Sequence, residues 1–339
     1  MQHEITQHGK LLNEDGSLAH RGWSRQQLLE YNRENISAGW YRIKEWDYYC
    51  ALTSEYGIAL TVADNGYMGL ISISWLDFNN HFYKTDDIMK LFTKGKLNLP
   101  RSSGSGNIYH EDKDISIEIV KNQDKRILSF DYPNFHDKRG IKGNLTLTQD
   151  PDMDTMAIAT PFSKKNHFYY NQKINCMPAE GTITYSNNNY SFLNDTAFGV
   201  LDWGRGVWPY ANMWYWGSAS GKIDGKPFGF NLGYGFGDTS LATENIVFYN
   251  KIGYKLEHVY FNINPNSYER PWAFTSNDGR FEMNFTPIFD RYSNTNIILL
   301  KSVQHQVFGH YNGKVILDDG DILHVKNLLG FAEKVQNRW

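Results

Sequence analysis

The sequence predicts an all-β protein built as two tandem antiparallel barrels or strongly curved sheets with few short helices. Three observations carry this. Apolar residues recur with period two in many short runs, which is the signature of half-buried strands. Turn signals such as Asp15-Gly16, Asn65-Gly66 and Asp150-Pro151-Asp152 punctuate those runs. Aromatic residues make up 15% of the 339-residue chain, including 22 Tyr and 20 Phe, an excess that favours strands. The length allows roughly two domains. The rhythm pauses at Pro161 and restarts, which places an N-terminal arm, a short helix and a first β-domain in 1–161 and a second β-domain in 162–339.

The polar arm before Gly22 reads as surface. Ser24 and Gln27 match a capping box, so a short helix is expected through Leu28, Leu29, Tyr31 and Asn32. From Trp40 the period becomes two, giving strands over 41–53 and 56–64, a hairpin at Asn65-Gly66, and a strand over 67–78. Thr85, Asp86 and Asp87 before Gly95 suggest a second short helix over 86–93. Residues 101–106, Arg-Ser-Ser-Gly-Ser-Gly, form a flexible loop that serves as a lid or as plain surface. Strands follow over 115–119, 126–132, 145–148 and 153–160. Beyond Pro161 they continue over 167–175, 181–186 and 190–193. The last series covers 228–236, 244–250, 254–262, 280–285, 296–302, 304–311, 314–317 and 322–325. A short helix over 327–337 closes the chain.

Composition excludes several functions. The net charge is −3 and no long basic run is present, so nucleic acid is not an expected partner. Cys50 and Cys176 are the only cysteines, too few for a disulfide framework. There is no paired-cysteine spacing and no His-Glu-x-x-His, so neither a metal nor an organic cofactor is expected. The opening residues lack an apolar run and no stretch is long enough to span a bilayer, which points to a soluble, cytoplasmic protein. Its expected assembly is a monomer or weak homodimer.

The candidate site centres on residues 196–221, TAFGVLDWGRGVWPYANMWYWGSASG, which hold Trp203, Trp208, Trp214 and Trp216 around Asp202 and Arg205. Gly204 and Gly206 flank the arginine and suggest a turn. In the strand that follows, Asn212, Trp214 and Trp216 share one face. This is either the floor of a ligand site or an aromatic core with an Asp202–Arg205 pair closing a tight turn. Asn231 shares a face with Gly229, Gly233, Gly235 and Gly237, while Phe228, Phe230, Leu232, Tyr234 and Phe236 take the other; such a glycine face either admits tryptophan rings or marks a strand bent sharply at a barrel corner. His167, Tyr169, Asn171 and Lys173 form a polar row on another strand. Glu244 and Glu180 are the candidate acid–base partners of Asp202, with Asn245 beside Glu244.

The segments His167-Phe168-Tyr169-Tyr170-Asn171, Asn175-Cys176-Met177-Pro178 and Asp202-Trp203-Gly204-Arg205-Gly206 resemble an uncharacterised bacterial family defined as a domain of unknown function. The chain is more distantly similar to the double lipocalin-like proteins: carotenoid hydratases, tocopherol cyclases and lipocalin-like Diels–Alderases. Several of those carry Trp-x-Asp-x-x-Trp-Gly before a Trp-x-Trp strand. Here Asp202-Trp203-Gly204 and Trp214-Tyr215-Trp216 correspond, with Val200 in place of the leading tryptophan and a shifted spacing. The resemblance implies lipocalin-like barrels and a small-molecule ligand, isoprenoid-like or sugar. Two function classes stay open. One is an enzyme in which Asp202, with Arg205 and Glu244, adds a proton to a partly apolar ligand for hydration, isomerisation or cyclisation, with a carboxylate-pair carbohydrate enzyme as its variant. The other is a carrier that binds without catalysis.

Overall fold

The computed structural model describes residues 2–297 and 300–339. Two strongly curved antiparallel sheets dominate it. The first runs in the order Phe82–Leu91, Met68–Asp77, Tyr56–Asp64, Ile43–Leu52, Phe198–Val207, Phe168–Tyr185, Ile141–Thr148, Lys125–Tyr132, Ser116–Asn122, Ile108–Glu111. The second runs Ile252–Lys255, Ile246–Tyr249, Lys226–Tyr234, Ala211–Ile223, Ile322–Arg338, Leu300–Ile316, Phe281–Ile297, Trp272–Ser276, Val259–Asn262. The chain passes from one sheet to the other between Val207 and Ala211. Pro161 ends the Met156–Pro161 strand inside the first sheet.

Each sheet curls around its own apolar interior. Ile58, Leu60, Ile73, Leu145 and Trp203 fill the first; Phe230, Phe261, Phe274, Phe285 and Tyr311 fill the second. The sheets meet back to back, where Phe168–Tyr185 and Phe198–Val207 approach Ala211–Ile223. Two further apolar clusters occupy that seam, one around Tyr169, Trp208 and Phe236, the other around Tyr48, Trp216 and Phe331. Among the described residues no helix is long and apolar enough to cross a membrane.

The Asn65-Gly66 hairpin forms as the sequence indicates: Gly66 sits at φ +78° and its N–H is held by Asp64 Oδ1 at 2.9 Å. The expected helices do not form. The segment after Ser24 stays extended, with only a 3₁₀ turn at Arg33–Asn35, because Leu29 and Tyr31 are drawn into the first sheet's interior. Residues 86–93 belong mostly to the edge strand Phe82–Leu91, and 327–337 continue the strand Ile322–Arg338. In both, pairing with a neighbouring strand decides the conformation, over the capping signals of 86–93 in the first case. The expected strand over 296–302 is divided: Ile297 ends one strand and Leu300 begins the next, while positions 298 and 299 lie outside the described residues.

Residues 101–106 cover the first sheet's interior. Ser103 is buried, hydrogen-bonds Gln172, and its carbonyl accepts from Arg126 at 2.7 Å.

Candidate active site between the two sheets

Strand alternation decides which side chains reach the seam. Phe198–Val207 is buried along its whole length and contains no turn at Gly204-Arg205-Gly206. Asp202 and Gly204 point to the seam; Trp203 and Arg205 point into the first sheet's interior. The glycine serves close approach rather than a bend. A Cβ at Gly204 would lie 2.2 Å from the Trp46 ring, so only glycine lets that indole lie flat across the strand.

Asp202 and Arg205 therefore do not pair. Arg205 is fully buried and donates to Asp47 Oδ1 at 2.8 Å, the Trp46 carbonyl at 2.6 Å and the Pro100 carbonyl at 2.7 Å. Its Nε lies 4.0 Å from Glu45, and its guanidinium sits over the Trp203 ring. Trp203 itself donates to the Pro100 carbonyl. Both residues belong to the first interior, on the far side of the strand from the seam.

The seam holds a cavity of about 600 Å³ that opens to solvent past Met89 and Tyr292. Asp202, Lys173, Glu244, Glu333 and Arg291 reach it, among the rings of Trp46, Tyr169, Trp208, Trp214, Trp216, Phe236 and Trp339. Lys173 and Asp202, opposite each other on paired strands, form a buried ion pair at 2.8 Å. Asn171 Nδ2 donates to Asp202 Oδ1 at 2.5 Å and to the Trp203 carbonyl at 2.8 Å. The Lys173 ammonium also lies 4.0 Å from the centre of the Trp216 ring. Asp202 thus receives two donors, Lys173 and Asn171.

Glu244 is different. It is 9% exposed, it faces the cavity, and among the described residues nothing donates a hydrogen bond to its carboxylate. Burial pushes its pKa up and the nearby Asp202 charge adds to this, opposed by Lys173 and Lys255. Its backbone is firmly held. Asn231 Nδ2 donates to the Glu244 carbonyl at 2.9 Å while Asn231 Oδ1 accepts from Trp216 Nε1 at 2.7 Å. Lys255 Nζ donates to the carbonyls of Thr243 and Asn245, at 2.7 and 2.8 Å. Gln2 Oε1 accepts from the Thr243 N–H at 2.7 Å. Asn245 caps this arrangement, accepting from Gly233 N–H at 2.8 Å and donating to the Glu257 carbonyl at 2.7 Å.

The glycine face is met differently from expectation. Gly233 leaves room for the Glu244 side chain and Gly229 for Cys176. The strand ends at Tyr234, and Gly235, at φ +87°, reverses the alternation, so Phe236 joins the cavity wall.

The remaining expected residues stay outside the cavity. Asn212 donates to the Pro209 carbonyl at 3.0 Å. His167 lies just before the Phe168–Tyr185 strand and does not reach the lining. Glu180 is exposed, beyond the bulge between Ile174 and Met177 and opposite Thr146. Glu333, Trp46, Arg291 and Trp339 were not indicated as site residues by the sequence. Glu333 accepts from Trp214 Nε1 at 2.8 Å and from Gln306 Nε2 at 3.1 Å, and burial raises its pKa. The alternation Phe331, Glu333, Val335 was the signal that could have found it. Among the described residues no group of three or more His, Cys, Asp or Glu side chains is arranged to hold a metal ion.

Two back-to-back curved sheets enclosing an aromatic cavity define a lipocalin-like double-barrel protein. The chain belongs to the family described as domain of unknown function DUF2804, whose model matches residues 2–339. Among solved structures, it is similar to CghA with Sch210972 at TM-score 0.54 and 8% identity, covering 87% of this chain and 88% of that one. It is also similar to kievitone hydratase from Nectria haematococca at TM-score 0.52 and 11% identity, with the same coverage of 87% and 88%. These likenesses establish the fold. A comparison with curated protein sequences returns no match.

Proposed function

We propose that this protein is an enzyme that adds a proton to a partly apolar small molecule in the seam cavity, leading to hydration, isomerisation or cyclisation. The observation that carries this reading is Glu244: a buried carboxyl, open to an aromatic-walled cavity, with no donor to it among the described residues. A desolvated carboxyl of this kind keeps its proton at higher pH than an exposed one and suits a general acid. Asp202, expected from the sequence to be the acid, is the weaker candidate because Lys173 and Asn171 occupy it.

In this reading Glu244 gives its proton to one carbon of an alkene, and the π electrons form the new C–H bond. The neighbouring carbon becomes cationic and faces indole rings that stabilise it. The cation is then quenched by water, by an internal nucleophile, or by loss of a different proton, and a proton returns to Glu244. The Asp202–Lys173 pair positions polar groups of the ligand. The fold-level likeness to a protein named as a hydratase is compatible with this chemistry and does not select among its outcomes.

The test is isotopic. In D₂O, wild-type protein incubated with a panel of partly apolar alkenes should introduce carbon-bound deuterium, detected by mass spectrometry, and Glu244→Gln should not. A small molecule that copurifies and returns unlabelled, with no alkene labelled, would make the protein a carrier.

A further inference from the structure

Among the described residues Glu244 presents an acceptor without a donor, and no cation of the cavity forms an ion pair with it: Arg291 donates to Gln306 and Ser74, Lys84 pairs with Asp86, and Lys301 also reaches the lining. Lys173 is already neutralised by Asp202 at 2.8 Å. Lys255 approaches from behind, engaged by the carbonyls of Thr243 and Asn245. On the cavity side, Glu244 shares its space with Asp202, Glu333 and the Tyr169 hydroxyl, none of them a cation. The walls here are π faces and edges: Tyr169 stacks on Trp46 at 5.8 Å, and Phe236 meets both Trp208 at 5.5 Å and Trp214 at 5.3 Å. An unpaired carboxylate beside several aromatic rings is the chemistry that recognises a poorly hydrated organic cation. A metal ion is not favoured by this set, because aromatic rings and a single free carboxylate offer too few oxygen ligands.

We propose that the aromatic end of the cavity is a binding site for amphiphilic organic cations, a quaternary or protonated tertiary ammonium on an apolar body, with Glu244 as the counter-ion. The inference rests on the seam being the ligand site, and it names the charge of what binds there best. It also follows from the proposed chemistry, since such a cation resembles the species formed when an alkene is protonated.

The experiment is isothermal titration calorimetry with trimethyloctylammonium, a permanent cation, against N,N-dimethyloctanamide, an uncharged molecule of similar size. At pH 8 the cation should bind wild-type protein at least about tenfold more tightly than the amide. That advantage should shrink as pH falls through the range in which Glu244 takes up its proton, and it should vanish in Glu244→Gln. Equal affinities at pH 8, an advantage that ignores pH, or one that survives Glu244→Gln would each overturn the proposal. If the amide alone binds, the cation inference falls while the ligand cavity stands. If neither binds, both fall together.

Discussion

The interior of the first sheet and the seam between the sheets are built from the same kinds of residue, and they differ in how completely the charges are answered. In the interior, Arg205 meets Asp47 and three backbone carbonyls. Glu45 accepts from Tyr31 at 2.8 Å and pairs with Arg33. In the seam, Asp202 has Lys173, Glu333 has Trp214 and Gln306, and among the described residues Glu244 has no donor. A buried charge facing an opposite charge serves structure; a buried carboxyl without a donor is poised for something that the chain does not supply.

Breaking the interior network should have the largest effect. Arg205→Met removes the donors to Asp47, Trp46 and Pro100, and leaves Asp47 buried without its cation. We expect a loss of about 3–5 kcal/mol in urea unfolding. Ligand response in the fraction that remains folded should persist. A loss below 1 kcal/mol would show that the network is not structural.

Asp202→Asn tests the pair at the border between the two regions. It strands the Lys173 ammonium in a buried position, but the Trp216 ring still faces it at 4.0 Å, so the cost should be smaller, about 2–3 kcal/mol. Restoring stability by the double change Asp202→Asn with Lys173→Met would show that the stranded charge, and not lost packing, causes the defect.

Glu244→Gln should change stability least, and with a sign set by pH. Burial raises the carboxyl above its ordinary 4.5, so the folded state holds this proton more tightly than the unfolded state. The wild type therefore loses stability as pH rises from about 4.5 through the folded-state pKa, while the glutamine variant does not. Thermal unfolding from pH 4 to pH 8 should show the variant gaining on the wild type with rising pH. A difference that is flat or falls with pH would mean that Glu244 has a partner in solution.

Much of the fold was legible from period and punctuation, because strands such as Tyr56–Asp64 and the hairpin at Asn65-Gly66 depend on local signals. The helices expected after Ser24 and over 86–93 do not form because capping residues carry the same letters whether or not a helix follows; there and over 327–337 neighbouring strands decide the outcome. The site was half legible. Lys173, Tyr169, Trp214 and Trp216 share the seam as their alternation indicates. Gly204-Arg205-Gly206 looked like a turn because the partner that demands a glycine, the Trp46 ring, lies far away in sequence. Trp203 and Arg205 were assigned to the site for the same reason: once the segment is a strand, Asp202 and its next neighbour cannot share a side.

The Phe198–Val207 strand is in effect a partition with a different tenant on each side, and the reading frame of its alternation is the only thing that sorts them. Inserting one residue after Val200 would exchange the rooms. Trp203 and Arg205 would be sent to the seam, and a carboxylate would be left in an interior already furnished with acids. Variation along this strand should therefore proceed by substitution, with gains and losses of residues confined to the loops at its ends.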